Sequence, residues 1–358
     1  MILRRIADFD VDRELGAGAM GTVYLVRRND ERFAVKVIRP ELAGTGDFVP
    51  RLRREADVGA HVLHPNVVRT LGSGTTEVDG VSLHYLVMEY VEGKDLRALL
   101  DELGSFPEAL LREVAVKLAA GLEAIHAAGV VHRDLKPENV LVTQTHEVRI
   151  MDLGVARFRD AASSLTQEGD FTGTLLYAAP EAFLGAEVGP ASDLYALGVL
   201  LYELASGVNP FVFESSLGVM RAQVELVPAT LRERDVAVSP FLCEVVRTLM
   251  AKRADARFPS AGDLRRTLEA GEDAPWWRAR AADVERAARR RPSVPVDRPT
   301  ALHGRATELA TLREAFAAAR RGEGGVVTLE GEEGIGKSRL LDELLRGLGA
   351  EPAHVLYG

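Results

Sequence analysis

The most informative stretch of the 358-residue chain is His132-Arg133-Asp134-Leu135-Lys136-Pro137-Glu138-Asn139. It places a carboxylate, a lysine and a side-chain amide within six residues of one another. Thirteen residues past Asn139 the chain reads Asp152-Leu153-Gly154. Carboxylate and amide oxygens are ligands that Mg²⁺ accepts, and a lysine can neutralise phosphate charge. The pattern therefore predicts a site that handles phosphate groups.

A glycine cluster lies upstream, where residues 16–23 spell G-x-G-x-x-G-x-V. By itself this pattern is weak, because it also fits a dinucleotide-binding fingerprint or a chance group of glycines. A dinucleotide site needs the glycines to open a helix. Here the β-branched and aromatic run Thr22–Val26 follows them, which predicts a strand. A strand, a glycine turn and a second strand form a flap whose bare backbone can approach phosphates closely.

Fifteen residues past Gly21 comes Lys36, which has apolar neighbours on both sides in Ala34-Val35-Lys36-Val37-Ile38. The chain has 44 basic residues, of which only six are lysines, so a lysine inside an apolar strand is notable. We expect Lys36 to reach phosphates and to need a carboxylate that fixes its position. Glu55, on the helix that follows, is the favoured partner, and Glu41 and Asp57 are alternatives.

These four motifs occur in the order in which they occur in the Hanks-type, eukaryotic-like serine/threonine protein kinases of bacteria, and residues 9–270 resemble that family. The resemblance implies an α+β, two-lobed kinase fold with a β-rich N-lobe and a helical C-lobe. It also implies Mg-ATP as cofactor and protein substrates. Asp134 would accept the substrate proton, Asn139 and Asp152 would hold Mg²⁺, and Lys136 would neutralise the γ-phosphate. A lysine at that position is typical of serine/threonine kinases, and a tyrosine kinase is the alternative.

The resemblance also implies a nucleotide pocket between the lobes. Its predicted residues are Leu15, Gly16, Ala17, Gly18, Ala19, Met20, Gly21, Thr22, Val23, Ala34, Lys36, Met88, Glu89 and Val91. Asp193 would bind the backbone of the catalytic loop, and Arg257 would pair with Glu181. A rival hypothesis is a pseudokinase that binds nucleotide as a scaffold, but every catalytic position is filled.

The activation segment would run from Asp152 to Glu181 and close with Ala179-Pro180-Glu181. By resemblance, the Thr174 hydroxyl would contact Asp134 and Lys136. Arg133 directly precedes the catalytic base, and a buried guanidinium needs an anionic partner. We expect phosphorylated Thr166 to supply that anion. Glu168 either adds a fixed negative charge or is an ordinary solvated acid.

Hydrophobic periodicity places the remaining elements. Strands are predicted at Gly21–Val26 and Phe33–Ile38, and helices at Asp47–His61, Glu108–His126, Ala191–Gly207, Pro240–Ala251 and Ser260–Leu268. The apolar run Tyr195–Phe213 is interrupted by Glu203 and ends at Asn209-Pro210, so we interpret it as a buried helix rather than a membrane span.

Residues 271–300 are predicted to form a Pro/Arg-rich linker, because Pro292, Pro295 and Pro299 are incompatible with helix or central strand. The run Arg289-Arg290-Arg291 could be a nucleic-acid patch. Neighbouring acids such as Asp283 and Glu285 favour a solvated tether instead.

A second phosphate motif follows at residues 331–338, where Gly331, Gly334, Gly336, Lys337 and Ser338 match the G-x-x-x-x-G-K-[ST] P-loop. A helix at Glu308–Arg320, a buried strand at Val326–Leu329 and a helix at Arg339–Leu348 are predicted around it. Residues 301–358 resemble the start of the AAA-type signalling ATPases, a partial α/β P-loop NTPase domain. No strand ending in a second acidic ligand follows, since Glu351 precedes the last apolar run. We therefore expect this region to turn over no nucleotide.

Composition limits the partners. The net charge is −9 and the pI about 5.5, which argues against nucleic acid and anionic membranes as main partners. Cys243 is the single cysteine, which fits a reducing compartment, and a cytoplasmic location is expected. The pattern does not indicate an oligomeric state.

Overall fold

The computed structural model describes residues 3–18, 20–43, 48–153, 175–289, 305–330, 340–341 and 343–344. The chain divides into two compact units, Met1–Val284 and Glu285–Gly358. In helix 48–59 several side chains, among them that of Glu55, lie outside the described set.

The first unit begins with a six-stranded antiparallel sheet in the order β1-β2-β3-β4-β6-β5. Its strands are β1 Arg5–Ile6, β2 Phe9–Gly18, β3 Gly21–Arg28, β4 Glu31–Ile38, β5 Thr70–Val78 and β6 Val81–Glu89. The β-branched runs that predicted strands at Gly21–Val26 and Phe33–Ile38 are confirmed. In β4 the side chains of Phe33, Val35 and Val37 are buried in the core of the sheet. The period of two therefore turns Ala34 and Lys36 to the opposite face.

Two helices follow β4, α1 at Pro40–Ala43 and α2 at Phe48–Gly59. Leu52 and Ala56 of α2 are buried with Ile38 and Leu86 of the sheet. These two residues are four apart, so they share one helix face, and that face packs on the sheet.

The rest of the first unit is mainly helical. Its helices are α3 Leu96–Leu103, α4 Glu108–Ala127, α5 Pro180–Phe183, α6 Pro190–Ser206, α7 Ser216–Glu225, α8 Pro240–Leu249, α9 Ala261–Ala270 and α10 Pro275–Arg278. Helix α11, Ala281–Arg289, begins in the first unit and ends in the second. Helix α6 is buried almost all round, which explains why its sequence lacks a polar face. It ends at Gly207, whose φ of 76° is a left-handed cap. Among the described residues, no helix is long and apolar enough to cross a membrane.

A small three-stranded sheet carries the loops that matter for chemistry. Strand β7 (Gly93–Asp95) pairs with β8 (Val140–Thr143), and β8 pairs with β9 (Val148–Ile150). The catalytic stretch ends in a 3-10 turn at Pro137–Asn139 directly before β8. Asp152 lies two residues past the end of β9, so two antiparallel strands hold the two metal-binding candidates, Asn139 and Asp152, near each other.

The first part of the predicted linker, residues 271–300, is wrong. Residues from Gly271 to Arg289 are largely helical, and Ala274 and Trp277 are buried in the main core. Trp277 packs edge-on against Phe241 with the ring centroids 5.8 Å apart. The prolines that suggested a tether lie beyond residue 290, whereas Pro275 occupies the first turn of α10, where proline is tolerated. The stretch 290–304 lies outside the described residues.

The second unit shows one confirmation and one correction. The predicted helix at Glu308–Arg320 is present as α12, Ala306–Arg320. The predicted buried strand Val326–Leu329 is wrong: these residues are not in a strand, and Val326 is 96% exposed. A lone strand gains no stability without a neighbour, and no strand pairs with this segment within residues 305–330. The predicted P-loop, residues 331–338, lies outside the described residues.

Candidate active site

A cavity of about 740 Å³ lies between the six-stranded sheet and the helical part of the first unit. It is lined by twelve of the predicted nucleotide residues: Leu15, Gly16, Ala17, Gly18, Met20, Gly21, Val23, Ala34, Lys36, Met88, Glu89 and Val91. Asp134, Lys136, Asn139 and Asp152 line it as well. Thr22 does not, because alternate residues of β3 face opposite sides of the sheet. Ala19 lies outside the described residues.

The three glycines of the flap are required for two different physical reasons. A Cβ on Gly16 or Gly18 would meet no protein atom within 4 Å, so these positions leave open space. A Cβ on Gly21 would lie 2.0 Å from the backbone oxygen of Val37. Gly21 is therefore required by the close pairing of β3 with β4, whereas Gly16 and Gly18 keep the flap free of side chains.

Lys36 forms an ion pair across the cavity, with its Nζ 3.0 Å from Oδ2 of Asp152. Burial would raise the pKa of the Asp152 carboxyl, but the charge and hydrogen bond of Lys36 outweigh it and hold the pKa below its ordinary value. Asp152 is thus kept as an anion, the form that binds a cation. The predicted Lys36–Glu55 pair involves a side chain outside the described set and stays a prediction.

The predicted base, Asp134, is held by its own loop. The amide nitrogen of Asn139 donates to Oδ2 of Asp134 at 2.9 Å and to its backbone oxygen at 2.7 Å. Lys136 places its Nζ 3.4 Å from the same Oδ2. With its nitrogen committed to Asp134, Asn139 has its amide oxygen as its remaining ligand atom. The loop thereby orients a carboxylate, a cation and an oxygen donor together.

Asp193 fixes the backbone of this loop, as predicted. Its carboxylate accepts from the backbone N–H groups of His132 and Arg133, each at 2.8 Å, and His126 contacts it at 2.8 Å. Arg133 has a backbone φ of 65° and Asp152 a φ of 58°. Residues other than glycine seldom adopt this left-handed region. Such backbone strain persists where surrounding bonds enforce it, and it concentrates at functional sites.

The sequence did not reveal a cluster around Arg97. This guanidinium donates to Glu138 at 3.0 Å, to Glu203 at 2.9 Å and to the Tyr177 hydroxyl at 2.8 Å. Glu138 belongs to the catalytic stretch and Tyr177 to the end of the activation segment. Burial lowers the pKa of Arg97, but the bonds to Glu203 and Glu138 raise it overall. In the sequence Arg97 looks like any helical surface arginine, because its three partners are 41 to 106 residues away.

The apolar floor of the cavity was also missed. Val68, Leu141 and Met151 line it together with the predicted residues. Leu141 lies on β8, next to the catalytic loop, and Met151 directly follows β9 and precedes Asp152. Their proximity in sequence to the predicted site residues was the one available signal.

The predicted pair of Glu181 with Arg257 is confirmed and is bidentate, with distances of 2.7 and 2.9 Å. Arg257 also donates to the backbone oxygens of Ala191, Ala251 and Lys252. The activation-segment residues Thr166, Glu168 and Thr174 lie outside the described residues.

Comparisons with known proteins agree with this geometry. The family model of the protein kinase domain matches residues 9–264, and that of the AAA ATPase domain matches residues 301–358. A probable serine/threonine-protein kinase of Streptomyces coelicolor is 37% identical over 296 residues, which cover 82% of this chain and 44% of the relative. The serine/threonine-protein kinase PknB of Mycobacterium leprae is 36% identical over 256 residues, covering 71% and 41%. The chain thus spans less than half the length of these relatives.

Among solved structures, the PknI kinase domain of Mycobacterium tuberculosis aligns with a TM-score of 0.58 and 28% identity. The alignment covers 76% of this chain and 100% of that domain.

Proposed function

The chain belongs to the protein kinase family, and we propose that it transfers the γ-phosphate of ATP to serine and threonine hydroxyls of proteins, with Mg²⁺ as cofactor. The observation that supports this most is the convergence of Lys36, Asp134, Lys136, Asn139 and Asp152 on one cavity. Phosphoryl transfer needs placed charges more than covalent chemistry, and these residues are placed charges and dipoles.

The cavity fits a nucleotide. Its apolar walls, among them Ala34, Val68, Met88 and Leu141, suit a flat base. Gly16 and Gly18 leave space where phosphates need close backbone approach.

The donor set also fits Mg²⁺. Asp152 is held as an anion, and the Asn139 amide presents its oxygen. Mg²⁺ commonly takes one or two protein oxygens and completes its shell with phosphates and water. When bound, the ion would neutralise negative charge on the phosphates.

The protein groups would divide the remaining work. Asp134 would accept the hydrogen bond of the substrate hydroxyl and orient its oxygen, and Lys136 beside it would stabilise charge on the transferred group. Lys36 would hold the other phosphates as a point charge. Lys136 also supports serine/threonine over tyrosine specificity, by similarity to the family.

The test is a transfer assay with radiolabelled ATP, Mg²⁺ and casein as protein acceptor. We expect label on serine and threonine of casein with the wild-type chain, and a loss of about a hundredfold or more with Asp134→Asn, the usual size of a lost general base. An unlabelled acceptor with wild-type protein that still binds ATP would support the pseudokinase hypothesis. Label on tyrosine would contradict the proposed specificity.

We further propose that the enzyme phosphorylates itself on Thr166 and signals in bacteria, as the bacterial origin of its relatives supports. Burial lowers the pKa of the Arg133 guanidinium, and Asp193 and Glu187 raise it. A phosphate on Thr166 would favour the charged form of Arg133 by pairing with it beside Asp134. Phosphopeptide mapping after incubation with Mg-ATP tests the site. An unmodified Thr166, or full activity in Thr166→Ala, contradicts the switch.

A further inference from the structure

A buried glutamine holds the end of the activation segment. Gln223, on α7, is 0% exposed, and its amide nitrogen donates to the backbone oxygens of Leu175 at 3.2 Å and Leu176 at 2.6 Å. The oxygen of Leu175 also accepts from the N–H of Ala178. In the described residues no other group donates to the oxygen of Leu176. Buried carbonyls need donors, so Gln223 satisfies a need that the local backbone does not meet.

Gln223 is itself held from the other side. Its side-chain oxygen accepts from the hydroxyl of Tyr195 at 2.6 Å. Its backbone oxygen accepts from Nζ of Lys252 at 2.8 Å, and Lys252 also donates to the Tyr195 hydroxyl at 3.0 Å. We name Gln223, Tyr195 and Lys252 the Gln223 clamp. Both polar atoms of the glutamine side chain are engaged, so its orientation is fixed.

The clamped residues lead directly to the catalytic loop. Tyr177 follows Leu176, and its hydroxyl bonds to Glu203 and to Arg97. Arg97 in turn bonds to Glu138, which lines the cavity beside Asp134. The segment 175–177 is therefore held by the clamp on one side and by the Arg97 cluster on the other. The segment 175–177 is thus coupled through Arg97 to Glu138, which lines the same cavity as Asp134.

We propose that Gln223 is a positioning residue for the protein substrate, which acts by fixing the carbonyls of Leu175 and Leu176, and that Lys252 supports it. The inference rests on the proposed kinase function. The nucleotide pocket does not include any residue of the clamp. The effect should therefore fall on the protein substrate and leave ATP binding unchanged.

The environment of Lys252 suits such a supporting role. Its ammonium lies over the rings of Phe211 and Tyr195, 4.6 and 5.4 Å from their centroids. Within the described residues it forms no ion pair with a carboxylate, so its bonds to Gln223 and Tyr195 are its polar anchors. Arg257, whose charge acts on Lys252, forms its own ion pair with Glu181. Removing the ammonium therefore acts mainly on the clamp.

The experiment measures KM for casein and KM for ATP in Gln223→Met, Tyr195→Phe and Lys252→Met. Gln223→Met removes the side-chain bonds to Leu175, Leu176 and Tyr195. We expect KM for casein to rise by about fivefold or more, since one lost buried hydrogen bond alone is worth roughly fivefold, with KM for ATP unchanged. The other two variants should shift the same constant in the same direction by less. Arg221→Met is the matched control, because Arg221 lies on the same helix, is exposed and, within the described residues, pairs with Glu225. It should match wild type.

Each outcome decides a separate point. A wild-type chain that does not label casein contradicts the proposed function itself. An active wild type with unchanged KM for casein in the clamp variants overturns the clamp. Equal rises in both KM values also overturn it, since they indicate general loosening. Thermal unfolding shows whether Gln223→Met folds. If it does not, Tyr195→Phe and Lys252→Met, which remove one polar group each, decide the question.

Discussion

Two ion pairs in the first unit have the same chemistry and opposite surroundings. Lys36 and Asp152 face the cavity, with side chains 15% and 27% exposed. Arg257 and Glu181 lie in the helical core, with side chains 0% and 9% exposed. In the cavity pair Nζ of Lys36 lies 3.0 Å from Oδ2 of Asp152. Arg257, in contrast, donates its five N–H groups to Glu181 and to three backbone oxygens.

The difference shows how the fold separates function from stability. A buried charge must have its partners satisfied within the protein, so the Arg257–Glu181 pair is complete. A charge that faces a cavity can exchange its partner for a ligand. Lys36 can therefore pass from Asp152 to phosphates, and Asp152 from Lys36 to a cation, without leaving a buried charge unpaired.

The largest effect should come from the cavity pair, and mainly on activity. Lys36→Ala and Asp152→Ala should each lower kcat by about a thousandfold, since each removes a charge aimed at the reacting phosphates. Because both side chains border the cavity, where water can solvate the partner that is left, the free energy of unfolding should fall by less than it does for the core pair. Transfer assays measure kcat, and urea unfolding of the same preparations measures the free energy of unfolding. Near-wild-type transfer by either variant would remove its assigned role.

The core pair should show the reverse. Arg257→Met leaves the Glu181 carboxylate buried. Of its side-chain partners in the described residues, the Ser192 hydroxyl would then remain. Breaking such a pair costs about 3–5 kcal/mol of unfolding free energy. Urea unfolding measures it, and Arg253→Met, whose exposed pair with Asp255 is nearby in sequence, is the control. An Arg257→Met chain as stable as the control would show that the core pair is not structural.

The flap glycines sharpen the same comparison. Gly21→Ala forces a methyl group toward the oxygen of Val37 and should destabilise the sheet by about 1–3 kcal/mol, the usual cost of overpacking. Gly16→Ala meets no neighbour, so its stability should equal that of wild type while its KM for ATP rises. Unfolding curves and ATP titrations separate the two variants. Equal destabilisation by both would contradict the distinction.

The smallest effect should be a change in how stability depends on pH. Burial, aided by the charge of Arg257, lowers the pKa of Lys252 to about 8 from its ordinary value of 10.5. Between these two values the unfolded chain binds more protons than the folded chain, so this group makes stability rise with pH. Below about pH 8 both states are protonated and its slope vanishes. Urea unfolding at several pH values between 7.5 and 10 should show a shallower rise in Lys252→Met. Identical slopes in both proteins would refute the shift.

Much of the fold followed from local patterns. The strands around Lys36 and the helices α4 and α6 were predicted because alternation and the 3.6 period reflect which faces are buried. The start of the linker was misjudged, because Trp277 gains its burial from Phe241, which lies 36 residues earlier. The strand at Val326 was misjudged because an apolar run forms a strand only when a neighbour pairs with it.

The sequence by itself determined the family, the two acids and the lysines of the site, because phosphate chemistry requires those residue types at short, ordered spacings. Tertiary structure alone decided which residues these side chains contact. Lys36 lies beside Asp152, Arg97 joins Glu138 to Tyr177, and Gln223 reaches Leu176, across separations of 41 to 116 residues along the chain. No local pattern encodes such contacts, because each depends on how strands and helices pack, and only packing brings one buried polar atom to the particular donor that satisfies it.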